Sequence, residues 1–153
     1  MKNILIISDG IPGHFNQSKG VASILSKTHP SNIHFTELSF KIHQLRGPIT
    51  VFSRILMRLP NKLTANLVSF MYSSIETNGI DLIIAAGGKT APYSAAIKVL
   101  NNIPVIQLGS PRGLHSSLFN ALVTVERYYA DSSNIIASIT PNLHSPEICS
   151  KAA

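Results

Sequence analysis

Three short stretches of this chain carry residues that can do chemistry, and each follows an apolar run. The first is Ser8-Asp-Gly-Ile-Pro-Gly-His-Phe-Asn-Gln-Ser-Lys-Gly20. His14 there can donate to an anion, or act as general acid or base near neutral pH. The bland reading is a histidine hydrogen-bonded within its own turn. Asp9 repels an anion unless it orients a hydroxyl, caps the turn or serves as a base. Gly10 and Gly13 allow close approach of a ligand to the backbone. Asn16 and Gln17 can bind sugar hydroxyls or simply solvate a helix start. The second stretch is Gly87-Gly-Lys-Thr-Ala-Pro92. Its Gly88, Lys89 and Thr90 fail the triphosphate-loop motif, because Ile83 stands where that motif needs glycine. What survives is an anion or hydroxyl contact at Lys89 and Thr90, set against a tight turn whose glycines serve packing alone. The third stretch is Gly109-Ser-Pro-Arg-Gly113, where Arg112 can grip phosphate or carboxylate with two donors, or stand on the surface.

The elements that must position these residues follow from apolar patterning. Ile4 to Ile7, Asp81 to Ala86 and Ile103 to Leu108 are short apolar runs that read as fully buried strands. Ile33 to Leu38, Leu118 to Val125 and Asn134 to Ile139 read as three further strands. Helices are expected after the first turn, capped by Asn16 or Ser18, and after Pro92, with a short one near Pro146. Strands alternating with helices imply an α/β fold: a Rossmann-like parallel sheet with helices on both faces. In such sheets ligands bind beyond the carboxyl ends of the strands, so the three turns converge on one site.

Between Glu37 and Glu76 the chain has no acidic residue, yet Lys41, Arg46, Arg54, Arg58 and Lys62 fall there. Ile49, Phe52, Ile55, Leu56 and Leu59 interleave at helical spacing, in two pieces divided at Pro60-Asn61, with Asn61 placed to cap the second. Arg46, Arg54, Arg58 and Lys62 therefore suit contact with an anionic membrane surface, with an ordinary solvated helix face as the alternative.

Bulk properties bound the rest. At 153 residues, 44% apolar and 13% charged, the chain reads as one globular domain over 1–153. A net charge of +6 points to an acidic partner. Nucleic acid is not that partner, because basic runs, zinc-finger spacing and an aromatic binding strand are missing. Cys149 alone excludes an internal disulfide and suggests a cytoplasmic, reducing setting, peripheral to a membrane at most. The histidines show no ligand spacing, so no metal site is expected.

The same stretches resemble the "elongated mitochondria" (ELM-type) mitochondrial-fission family and its bacterial relatives. The likeness lies in Ser8 to Gly20, Ala86-Gly-Gly-Lys-Thr-Ala-Pro92, Gln107-Leu-Gly-Ser-Pro-Arg112, Leu118-Phe119 with Glu126-Arg127, and Asn134 to Ala153. A more distant likeness is to the bacterial transferase that adds N-acetylglucosamine to a lipid-linked precursor. The family is classed with two-domain GT-B glycosyltransferases. The resemblance implies one half of a GT-B architecture, the N-terminal, acceptor-side domain, with the second domain absent from this chain. It implies a glycosyltransferase half inactive alone, with a non-catalytic membrane-surface or organelle-division module as the alternative. Asp9 and His14 take the catalytic place. Gly10, Gly13, Asn16, Gln17, Gly87, Gly88, Lys89, Thr90, Gln107 and Arg112 line the substrate cleft. The family uses a nucleotide-sugar donor, expected for the whole protein and not for this half; no covalent cofactor is implied. The expected partner is a C-terminal domain, as a continuation or a separate second half.

Overall fold

A computed structural model describes residues 1–125 and 135–137. The helix expected near Pro146, and the likeness running to Ala153, lie outside the described residues. Six strands form one sheet: β1 (Lys2–Ser8), β2 (Ser31–Glu37), β3 (Leu82–Ala86), β4 (Val105–Leu108), β5 (Ala121–Thr124) and β6 (Ile135–Ala137). Their order is β2-β1-β3-β4-β5-β6, and every pair is parallel. Among the described residues four helices cross between them: α1 (Pro12–Thr28), α2 (Arg46–Leu56), α3 (Lys62–Met71) and α4 (Ala91–Asn101).

Alternation along β1 divides the core. Ile4 and Ile6 join Ala22 of α1, Ile84, Ala86 and Leu108 on one face. Leu5 and Ile7 join Met57, Val68, Tyr72, Ile83, Tyr93 and Ala96 on the other, under α2, α3 and α4. Both faces of β1 and β3 are thus covered, which is why these strands are uninterrupted apolar runs.

The chain winds one way from β1 to β2 and the opposite way from β3 outward. A crevice must open at the carboxyl ends of β1 and β3, where the direction changes. The strands finish level there: Ile7 pairs with Ala85, Ala85 with Gln107, and Leu108 with Val123.

One expectation about helices is corrected. The first helix begins at Pro12, not after Asn16 or Ser18, with Ile11 as its cap residue. Proline suits this position because its fixed φ is helical and its missing N–H would have no helical acceptor. Ser18 is instead buried, its Oγ without a partner. The facing of α2 is a separate finding. Its buried residues are Thr50 and Ser53, while Val51, Phe52 and Ile55 are more than half exposed. The helix turns its small polar side inward. The fifth strand also starts later than Leu118, which ends a 3-10 turn at Ser116–Leu118.

Candidate functional site

The turn after β1 is tied by its own side chains. Ser8 Oγ accepts from the Gly10 N–H at 3.1 Å, and Asp9 Oδ1 accepts from the Ile11 N–H at 3.2 Å. Starting α1 at Pro12 places His14 in its first turn, with the ring folded back over the turn. His14 Nδ1 lies 3.0 Å and 3.1 Å from the two oxygens of Asp9. The Asp9 side chain is 1% exposed and that of His14 is 32% exposed. A carboxylate only accepts, so Nδ1 carries the hydrogen and donates it. Nε2 is then the ring nitrogen with the lone pair, on a side chain that lines the cleft.

The turn after β3 supplies the shelf beneath this pair. A side chain on Gly87 would overlap the imidazole and come within 2.9 Å of Asp9 Oδ2. Gly87 also has φ +86, a left-handed conformation that favours glycine. Its N–H donates to Leu108 O at 3.1 Å, and its carbonyl accepts from Gln107 Nε2 at 3.0 Å and Thr90 Oγ1 at 2.9 Å. Gln107 and Thr90 are fully buried. Both were expected against substrate; they hold the shelf from behind instead, since every one of these bonds is spent on the turn.

A cleft of about 220 Å³ opens above, lined by His14, Gln17, Gly88, Ser110, Arg112 and Thr124 among others. Arg112, exposed and at φ +52, lays its side chain against Gly88. A Cβ at Gly88 would sit 2.9 Å from Arg112 Nε. Asp9, His14, Gln17, Gly87, Gly88 and Arg112 therefore meet at one place. Gly10, Gly13, Asn16 and Lys89 do not line that cleft. Gly10 lines a groove with Phe15 and Phe35, Gly13 and Asn16 are exposed on α1, and Lys89 faces α2.

Arg54 departs most from expectation. It was assigned to a membrane surface, yet its Nη2 donates 3.0 Å to the carbonyl of Gly88. Burial holds its guanidinium below the ordinary arginine range, and the like charge of Arg112 lowers it further. Helical spacing alone does not reveal this, because the inward side of α2 is the polar one. Arg46, Arg58 and Lys62 are exposed. Among the described residues no three His, Cys, Asp or Glu side chains group as a metal would need, and no helix is long and apolar enough to cross a membrane.

No curated protein matches this sequence. Among solved structures, MurG from Acinetobacter baumannii has a similar fold, with a TM-score of 0.56 at 13% identity. The match covers 95% of this chain and 47% of that one, so the chain spans about half of MurG. The fold is accordingly Rossmann-like, similar to one half of the GT-B kind. The family described as mitochondrial fission ELM1 matches residues 12–145, which takes in His14, the Gly87-Gly88 turn and Arg112. With most of its length so matched, the chain belongs to the mitochondrial fission ELM1 family.

Proposed function

We propose that this chain is the acceptor-side domain of a nucleotide-sugar-dependent glycosyltransferase, in which His14 is the general base. The observation that carries the reading is the Nδ1 contact to the buried Asp9 carboxylate. It fixes the tautomer, steadies the ring and stabilises the imidazolium that proton transfer creates. An acceptor hydroxyl in the cleft gives its proton to Nε2 as its oxygen bonds to the anomeric carbon. The bond from that carbon to the leaving diphosphate breaks in the same step, and the electron pair departs with the diphosphate. The donor is held by a second domain, so the chain alone does not turn over. Gln17 and Arg112 orient the acceptor.

The test is sugar transfer by this chain joined to the C-terminal domain of a family relative. His14→Ala is expected to lower kcat about 10²–10⁴-fold, and Asp9→Asn to act in the same direction. Transfer that survives His14→Ala unchanged would overturn the assignment, and turnover by the chain alone would overturn its dependence on a second half.

A second reading rests on α2 and α3. Phe52, Ile55, Leu59, Leu63 and Phe70 are each more than half exposed, and exposed Arg58 and Lys62 stand among them. A ridge of exposed apolar side chains with cations among them suits an anionic lipid surface.

A further inference from the structure

Beside the dyad lies a second cleft, of about 340 Å³, between α2 and the turn from β3 to α4. It is lined by Arg46, Gly47, Thr50, Val51, Arg54 and Lys89. Three of these six are cations and none is acidic. Among the described residues the ion pairs are Lys2 with Asp81 and His14 with Asp9, so none of the three cations has a carboxylate within 4 Å. The nearest acids lie in an adjoining cavity, farther than ion-pair distance from these cations. Asp9 is bound to His14, and Glu37 and Asp9 line a neighbouring cavity that Arg46 and Lys89 also border.

Arg54 is the informative member. Its Nη2 is committed to Gly88 O, but its Nε is buried without any partner. Arg112 flanks the same Gly88 from the other cleft, adding a fourth positive group where the chain already carries an excess. Three cations lining one cleft with no carboxylate on any of them suit an anion with several acceptor oxygens. We propose that this cleft binds a phosphate or diphosphate group, gripped by Arg54 and Lys89 with Arg46 at its mouth. The site is separate from the His14 cleft and does not depend on sugar transfer.

The test is calorimetric titration of the whole chain with inorganic pyrophosphate at low salt. Arg54→Gln and Lys89→Gln are each expected to weaken binding about tenfold, the loss of one charge-assisted contact. Lys27→Gln, at the far end of α1, and His14→Gln are expected to stay within about twofold. Should Arg54→Gln unfold, exposed Lys89 carries the comparison, with thermal melts as the check. Competition assigns the source of the phosphate. Displacement of pyrophosphate by phosphatidic acid in phosphatidylcholine vesicles indicates a lipid headgroup, whereas displacement by uridine diphosphate alone indicates a soluble ligand. Absence of pyrophosphate binding, or losses in both variants no larger than in Lys27→Gln, would overturn the proposal. Unchanged binding in His14→Gln with transfer abolished keeps this site distinct from the catalytic reading.

Discussion

Any side chain at position 87 must take space now held by the His14 imidazole, in a backbone conformation that L-residues rarely adopt. Gly87→Ala is therefore expected to cost about 1–3 kcal/mol, since the left-handed strain adds to displacement of the ring. A melting temperature lower by roughly 3–10 °C would register it, and transfer should fall with it; wild-type stability and activity together would show that the shelf is dispensable. At this scale the sequence was half legible. Asp9 and His14 lie five residues apart across a glycine turn, yet the sequence reading treats each on its own and does not pair them, while it does expect Arg112 at the cleft that it lines. The burial of Thr90 and Gln107 was not legible, because their donors go to main-chain carbonyls, which no side-chain motif records. Arg54 eluded the reading for another reason: its partner, Gly88 O, is 34 residues away.

Among the elements, α3 shows what local chemistry can announce. Asn61 was expected to cap it, and Asn61 Oδ1 accepts from Thr64 N at 2.9 Å while Thr64 Oγ1 accepts from Asn61 N at 3.0 Å. Removing this reciprocal pair with Asn61→Ala is expected to cost about 1 kcal/mol, read as a shift in denaturant midpoint with unchanged slope. A shift near zero would mean that α3 is held by packing alone. The start of α1 was misplaced because the polar cap residues Asn16 and Ser18 outweighed the proline at its first position. For α2 the spacing of apolar residues announced a helix correctly. Periodicity identifies a stripe without saying which way it faces, and here Thr50 and Ser53 pack inward while Phe52 and Ile55 face out.

For the whole molecule, alternation of strands and helices was enough to indicate a parallel sheet sandwiched by helices. The strand order was not, since crossovers leave no mark on composition; yet that order sets the crevice between β1 and β3. The exposed ridge of α2 and α3 belongs to this scale as well. Sedimentation with anionic vesicles is expected to fall at least about thirtyfold in affinity when Arg58 and Lys62 both become Glu, at about 1 kcal/mol for each cation lost. Phe52→Ser with Ile55→Ser should weaken it without changing its salt dependence. Binding indifferent to both pairs would remove the membrane reading. The layered support of the imidazole reaches furthest. With aspartate on one side, a strand-end glycine beneath and two buried amide and hydroxyl struts behind, the ring has no slack. A base so held, the role proposed for His14, would not follow a wandering hydroxyl, so choice among acceptors would reduce to delivery: the molecule whose oxygen is carried to that one point would be the one that reacts.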